Sequence, residues 1–178
     1  YGAFIVEPAD SDYLPRVNRE EVVFLDDILI ERGAINLSEA GADHTLMGRY
    51  GNVMLVNGQE DYELDAKKGE VVRLYLVNAA NVRPFNFALK GTKLKLVGGD
   101  GGAYERATFV DSVVLGPSER AIVDVHIDEL TTIVNDTPAG VTSLGSVVLT
   151  DGLIETSYAT EFNTLQASAQ TSKSFDPF

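Results

Sequence analysis

The stretch GEVVRLYLVNAANVRPFNFAL, at residues 69–89, decides the fold class of this chain. Its first part is rich in β-branched and aromatic residues up to Asn78, which favours a strand, and an Asn-rich loop follows. Pro84 fixes the backbone φ angle where the next strand begins. Arg83 is held extended because it precedes a proline, so we expect a structural residue that bonds carbonyls of the loop. The stretch therefore predicts two strands joined by an ordered loop.

The rest of the chain repeats this pattern of short strands. Apolar residues occupy both parities of EVVFLDDILI, at residues 21–30, which predicts a strand buried on much of both faces. Further strands are predicted at residues 50–59, 84–91, 94–102, 111–116, 119–128 and 146–150. Helical signals are confined to residues 38–43 and to the tail after Thr156. The predicted fold class is all-β, a Greek-key antiparallel sandwich or barrel.

Three short motifs predict turns between these strands. VNGQ places Asn57 and Gly58 at a tight turn, where both residue types tolerate a positive φ. GGDGG, at residues 98–102, lacks the Gly-x-Gly-x-x-Gly spacing and the following helix of a phosphate-binding loop, so it predicts a hairpin or crossover loop. GPSER, at residues 116–120, predicts a turn that begins a strand.

Length, composition and charge narrow the function classes. A chain of 178 residues with 44% hydrophobic residues suits one domain with a sizeable core. The formal net charge is -13, and the Lys and Arg residues are spread along the sequence, so a nucleic-acid partner is not expected. Every apolar run is far shorter than the roughly 20 residues that a membrane helix requires, so no membrane partner is expected either.

Cysteine and histidine usage limits the chemistry further. Cysteine is absent, which excludes disulfides, thiolate catalysis and Cys-ligated metal within this chain. The two histidines are His44 and His126. Sequons at Asn36 and Asn135 match the glycosylation pattern, but a three-residue pattern arises often by chance.

Several motifs together carry a family resemblance. YGAFIVEP, at residues 1–8, resembles the close of the first cupredoxin domain of multicopper oxidases, where a copper-binding His-x-His lies a few residues upstream. Four later strings, in order, are similar to the second cupredoxin domain of a three-domain, laccase-like multicopper oxidase: VMLVNGQ (53–59), the stretch at 69–89, LVGGDGG (96–102) and LGPSERAIVDVHID (115–128). The resemblance covers the chain from Tyr1 to about Thr150.

The resemblance implies a domain arrangement and a location. Residues 1–12 are expected to be the end of a preceding domain and a linker, 13–155 a cupredoxin-like second domain, and 156–178 a linker toward a third domain. The expected partners are the flanking cupredoxin domains of the same polypeptide. The implied location is periplasmic or extracellular.

The resemblance also implies that this domain carries no copper. In three-domain members the coppers lie in the first and third domains, so we expect no catalytic, cofactor-binding or metal-binding residue here, and copper only in the parent enzyme. His126 lies in IVDVHID beside Asp124 and Asp128, which predicts a solvated strand residue. His44 lies in AGADHTLMG with Met47 three residues on; this pair suggests copper, but a surface loop residue is the favoured interpretation.

Three functions stay open at this point. The first is the copper-free middle domain of an oxidase that takes single electrons from phenols or metal ions and reduces dioxygen to water. Such a domain would space and dock the copper-bearing domains, and its loops would line the path by which the substrate approaches. The second is a domain of a copper-free, cupredoxin-built scaffold or binding protein of the cell envelope. The third is a free-standing sandwich that binds sugar or protein. We also expect self-association of the isolated chain through strand edges and apolar faces that neighbouring domains would cover.

Overall fold

The computed structural model describes residues 2–6, 13–36 and 42–165. Thirteen strands and two short helices follow one another within these residues. The elements are β1 (Arg19–Ile28), β2 (Ile30–Glu31), β3 (Ala34–Ile35), α1 (Ala42–Met47), β4 (Val53–Val56), β5 (Tyr62–Lys67), β6 (Glu70–Asn78), β7 (Phe85–Leu89), β8 (Leu94–Gly99), β9 (Gly102–Val110), β10 (Val113–Leu115), β11 (Arg120–Ile127), β12 (Thr131–Thr137), β13 (Gly140–Thr150) and α2 (Ala159–Asn163).

The larger strands form two sheets that pack face to face. The six-stranded sheet has the order β4-β1-β6-β11-β8-β9, the five-stranded sheet has the order β10-β7-β12-β13-β5, and β2 pairs with β3 alone. The all-β sandwich predicted from the sequence is confirmed. Two neighbouring pairs, β1–β6 and β5–β13, run parallel, so both sheets are mixed. Such pairs need a long crossover connection, which the intervening strands supply.

The core lies between the inner faces of the two sheets. Phe85 and Phe87 of β7 are fully buried there. Opposite them, the even-numbered residues of β6 and the odd-numbered residues of β11 point inward. The core residues that lie on strands include Val23, Leu25, Val72, Leu74, Leu76, Ala121, Val123, Val125, Ile127, Ile133 and Val147.

The stretch at residues 69–89 folds as predicted. β6 ends at Asn78, the loop crosses to the other sheet, and β7 begins directly after Pro84. The fully buried Asn78 side chain secures this loop: Nδ2 donates to the carbonyls of Arg83 (2.8 Å) and Leu115 (2.9 Å), and Oδ1 accepts from the Ala80 N–H (3.0 Å). Burying a polar side chain is favourable here because its amide atoms are bonded.

The three predicted turns are also present. Asn57 and Gly58 have φ angles of 51° and 78° and form a two-residue turn closed by Val56 and Gln59. GGDGG lies at the hairpin between β8 and β9, and the turn at residues 116–119 leads into β11.

Besides the two-residue β3, three strands have no counterpart among the predicted ones: β5, β9 and β12. Charged and polar residues break the apolar pattern in each, as in YELDAK of β5, although Leu64 and Ala66 of that strand are buried. The sequon at Asn135 falls in β12, where the side chain is 3% exposed and its Oδ1 accepts the Asn86 N–H at 2.8 Å. Asn135 is therefore a buried structural residue rather than an accessible glycan acceptor.

The two helices occur near the places where helical signals were predicted. α1 begins at Ala42, so it overlaps the end of residues 38–43, of which 38–41 lie outside the described residues. α2 lies in the tail after Thr156 and buries Phe162 against the six-stranded sheet. Part of the predicted linker at residues 156–178 thus packs on the domain, while residues 166–178 are outside the described part.

Candidate functional site

Four charged side chains form a row across the outer face of the six-stranded sheet. Glu20 of β1 is the register partner of Arg73 on β6, Arg73 is that of Asp124 on β11, and Asp124 is that of Lys95 on β8. The charges alternate in sign along the row, and opposite charges directly across neighbouring strands attract each other. We call these four residues the charge row.

Strand parity places these residues outward, yet three of them are buried. Arg73 is 3% exposed, and Asp124 and Lys95 are each 1% exposed. They are buried because residues 13–18 and the segment containing α2 contribute backbone groups that contact this face of the sheet. The outer face of the sheet is therefore a second, partly polar interior.

Arg73 and Asp124 form the centre of the row. The guanidinium contacts the carboxylate in bidentate fashion, with Nε to Oδ1 at 2.7 Å and Nη2 to Oδ2 at 3.0 Å. Nη2 also donates to the Pro15 carbonyl at 2.6 Å, and Nη1 lies 3.4 Å from the Glu20 carboxylate. Paired and bonded in this way, the buried charges avoid most of the cost of leaving water.

Burial shifts the ionisation of the row. It raises the pKa of Asp124, an effect opposed by the hydrogen bond and charge of Arg73. It lowers the pKa of Lys95, an effect opposed by the charge of Asp124. Burial also disfavours the charged form of Arg73, but its bonds to Asp124 outweigh this and leave the pKa of Arg73 raised. The charged forms therefore depend on one another.

Lys95 holds the C-terminal helix on this face. Its Nζ donates to the carbonyl of Glu161 at 2.7 Å, which also accepts the Thr164 N–H, and to the carbonyl of Thr164 at 2.9 Å, directly after α2 ends. Phe162 adds apolar contact, with its ring centroid 5.3 Å from that of Phe109 and 5.7 Å from that of His126. The helix is short, so these contacts rather than helix propensity fix it in place.

A second ion pair lies at the loop that follows β6. Arg83 donates from Nε to Asp27 Oδ2 at 2.7 Å and from Nη2 to the Gly51 carbonyl at 2.6 Å, and its guanidinium lies 5.2 Å from the Tyr50 ring centroid. The Gly51 N–H donates to the same Asp27 oxygen at 2.7 Å. Arg83 is a structural residue as predicted, but the carbonyl that it bonds, of Gly51, belongs to the loop before β4 and not to the loop that follows β6. Its pairing with Asp27, whose side chain is 1% exposed, had no signal in the sequence.

Replacing Arg83 by Met is expected to lower the free energy of unfolding by about 2 kcal/mol, because it leaves the buried Asp27 carboxylate without its cation. Urea denaturation followed by circular dichroism measures the change. The matched control is Arg106→Met on the exposed side of β9, for which we expect a change within about 0.5 kcal/mol. Equal stabilities of the two variants would contradict the structural role of Arg83.

The structure corrects both histidine environments. His126 was predicted to be a solvated strand residue, but the covering α2 leaves its side chain 19% exposed beside Phe162, with Nδ1 3.2 Å from Asp128 Oδ2. His44 was predicted in a loop, but it is half-buried in α1, whose residues include helix-favouring Leu46 and Met47. Met47 itself is 75% exposed.

The donor set does not fit the copper centres of an oxidase. A type 1 centre needs a cysteine thiolate with two histidines, and an oxygen-reducing cluster needs many converging imidazoles. The chain has no cysteine, and its histidines lie on separate elements, α1 and β11. Within residues 13–36 and 42–165, no three His, Cys, Asp or Glu side chains converge as metal ligands would.

A cleft of about 460 Å³ lies where edge strands of the two sheets meet. Its lining includes Tyr104 of β9, Val114 of β10 and the ion pair of Asp100 with Arg120. Tyr104 is 45% and Val114 68% exposed. This cleft therefore presents the outermost strands of the two sheets, β9 and β10, beside apolar side chains.

Sequence reasoning did not find the charge row. The available signal was a single charged residue inside each of three otherwise apolar strands: Arg73 in VVRLYLV, Asp124 in IVDVHI and Lys95 in LKLV. A charge at such a position predicts a buried partner on a neighbouring strand. The sequence pattern did not indicate the order of the strands, so it could not show which of these charged residues are neighbours.

Comparison with protein families decides the relationship. The model of a family described as multicopper oxidase matches residues 26–133, which is more than half of the chain. The chain belongs to the multicopper oxidase family. The four strings that resemble the second cupredoxin domain lie within the matched region, whereas YGAFIVEP, at residues 1–8, lies outside it.

Individual relatives agree with this membership of the multicopper oxidase family. The chain is 31% identical over 134 residues to the cell division protein FtsP of Proteus mirabilis, covering 72% of this chain and 28% of that protein. It is 30% identical over 84 residues to the multicopper oxidase mco of Staphylococcus aureus, covering 47% of this chain and 19% of that protein. The chain therefore spans less than a third of the length of either relative.

Solved structures show the same fold. A bacterial laccase-like multicopper oxidase, CueO from the lignin-degrading bacterium Ochrobactrum sp., superposes with a TM-score of 0.69 and 26% identity, over 79% of this chain and 33% of that one. The domain is thus a cupredoxin-like sandwich, and it is similar to about a third of that laccase-like enzyme. In the described part of the chain, the helices are too short and too polar to cross a bilayer.

Proposed function

We propose that this chain is the copper-free middle domain of a multicopper oxidase that couples one-electron oxidation of phenols or metal ions to reduction of dioxygen to water. The observation that carries the proposal is the donor set. A domain that matches the family model has no cysteine and only two histidines, on separate elements. Electron storage and oxygen reduction then belong to the rest of the polypeptide, and this domain spaces and docks the copper-bearing domains.

Exposed features of the domain support docking. The outermost strands β9 and β10 border a cleft with Tyr104 and Val114. At another place Leu46 and Met47 of α1 are 81% and 75% exposed. Apolar groups in such positions are typical of contact surfaces. In the parent enzyme they face flanking cupredoxin domains, in the periplasm or outside the cell, and in isolation they promote self-association.

The chain is expected to bind no copper tightly and to stay colourless. Metal ligands must be deprotonated, convergent and held by a second shell of hydrogen bonds, and among the described residues neither His44 nor His126 belongs to a group of three potential ligands. The measurement is bound copper by mass spectrometry after incubation with Cu(II) and with Cu(I) under reductant, together with the visible spectrum and a phenol-oxidation assay. A full-length laccase treated identically is the positive control.

The His44→Ala/His126→Ala double variant serves as the matched control. It is expected to keep the circular dichroism spectrum of the unmodified chain and the same low copper content. Stoichiometric copper at submicromolar affinity that disappears in the double variant, or turnover of a phenol, would overturn the proposal.

A second candidate function is a domain of a copper-free envelope scaffold or binding protein. The observation that favours it is the similarity to a protein named for cell division, the FtsP of Proteus mirabilis, and a 37% identity over 81 residues to the FtsP of Haemophilus influenzae. The full reading frame distinguishes the two. A His-x-His a few residues before Tyr1 supports the oxidase, and other residues at those positions support the scaffold.

A further inference from the structure

The segment that leads into the sandwich, residues 13–18, is held on the six-stranded sheet by a side chain and by backbone N–H groups of that sheet. The Pro15 carbonyl accepts from Arg73 Nη2 at 2.6 Å. The Tyr13 hydroxyl accepts the Ala103 N–H at 2.9 Å. The Asn18 Oδ1 accepts the Val71 N–H at 2.9 Å. We call residues 13–18 the leading segment.

The segment that leaves the sandwich is held on the same face. Lys95 binds the carbonyls of Glu161 and Thr164, and Phe162 is 8% exposed against the sheet. We call residues 156–165 the trailing segment. A buried lysine that spends two of its three donors on backbone carbonyls fixes where these carbonyls lie, because releasing either one leaves a buried ammonium donor unpaired.

The two segments also contact each other. Asn18 Nδ2 donates to the Thr156 carbonyl at 2.8 Å, while the Oδ1 of the same amide holds Val71. One side chain therefore joins the leading segment, the trailing segment and β6. The register of the sheet joins the segments a second time, because Arg73 and Lys95 are both partners of Asp124.

We propose that the charge row is a clasp that couples the leading and trailing segments, so that the directions in which the chain arrives at and departs from the domain are set together. The proposal rests on the proposed function, in which both segments connect to neighbouring domains. It assigns to Arg73, Asp124 and Lys95 a positioning role that requires no contact with a metal or a substrate. The orientations of the preceding and the following domain would then both be fixed relative to this sheet.

Residue-resolved hydrogen exchange by nuclear magnetic resonance tests the clasp on this chain. The probes are the Phe162 N–H, which donates to the Tyr158 carbonyl, and the Asn18 N–H, which donates to the Val71 carbonyl. Amides of β12, in the opposite sheet, are the internal reference. Lys95→Met removes the donors but keeps the apolar stem, and Asp124 keeps its bidentate partner, so the sandwich is expected to fold.

In Lys95→Met we expect the Phe162 amide to exchange at least about tenfold faster and the Asn18 amide at least about threefold faster, with β12 unchanged. Lys93→Met is the matched control, because Lys93 is 59% exposed and pairs with Asp111 on the surface. It is expected to leave all probe amides at their original rates.

The coupling has its own variant. Asn18→Asp retains an acceptor for the Val71 N–H but loses the donor to Thr156. In that background Lys95→Met should still speed exchange at Phe162, but its effect at residue 18 should be smaller than in the original background, because only the charge row then joins the two segments. Acceleration confined to Phe162 in the original background, or an equal acceleration of β12, would overturn the coupled clasp. This measurement involves no copper and no other domain. The clasp can therefore be refuted while the proposed function stands, and the proposed function can be refuted while the clasp stands.

Discussion

Replacing Arg73 by Met is expected to lower the free energy of unfolding by about 3–5 kcal/mol, because the substitution leaves the carboxylate of Asp124 buried without its cation. Asp124 is 1% exposed and receives two guanidinium bonds from Arg73. The same substitution frees the Pro15 carbonyl from its donor. Equilibrium urea denaturation monitored by circular dichroism gives the difference between variant and unmodified chain.

Two further variants make this result specific. Arg120→Met removes the cation of an exposed pair with Asp100, in which the side chains are 59% and 46% exposed, and should cost less than about 1 kcal/mol. Arg73→Met combined with Asp124→Leu removes both charges and should recover most of the loss, because apolar replacements of a buried pair are tolerated. If the single variant at Arg73 were as stable as the one at Arg120, the charge row would not be a buried network.

Replacing Gly145 by Ala is the second change with a large expected effect. It is expected to lower the free energy of unfolding by about 2–5 kcal/mol, because the new Cβ clashes with backbone atoms and the φ angle is unfavourable for alanine. Gly145 has φ 154° and lies in β13 beside the parallel strand β5. A Cβ there would stand 2.0 Å from the carbonyl oxygen of Tyr62 and 2.8 Å from its backbone nitrogen. Backbone atoms in a sheet have no room to withdraw, so the β5–β13 pairing must open.

Gly140→Ala separates the clash from the φ angle. Gly140 also has a positive φ, 137°, but a Cβ there would meet no atom within 4 Å. We expect this control to cost about 1–2 kcal/mol, from conformation alone. Thermal and urea unfolding of both variants provide the comparison, and equal losses at the two glycines would show that the close approach of Tyr62 is unimportant.

Local sequence signals predicted those parts of the fold that depend on short-range chemistry. Asn57 and Gly58 adopt positive φ angles in a turn because of their own side-chain chemistry. Pro84 directly precedes β7 for a similarly local reason, its fixed φ angle. The strands β5, β9 and β12 were missed because their polar residues hide an apolar face that only pairing with neighbours makes visible.

The candidate site depended on information of longer range. The alternation around His126 was assigned to the right faces, but the outward face was taken as solvated because the sequence does not show that α2 covers it. Likewise Arg83 was expected to bond a loop carbonyl, whereas its ion pair with Asp27 joins residues 56 positions apart. Covering segments and distant partners are properties of the folded chain.

By itself the sequence determined the all-β class, the turns, the family motifs and the absence of cysteine, because period-two alternation, turn chemistry and residue inventory are local or compositional. Only the tertiary structure decided that Arg73, Asp124 and Lys95 lie side by side. Strand order and register bring these residues together, although Arg73 and Asp124 are 51 positions apart in the sequence. The tertiary structure also decided that this row is buried beneath both ends of the described domain. Burial, which gives these charges their energetic weight, is a property of the assembled sheet and not of any one strand.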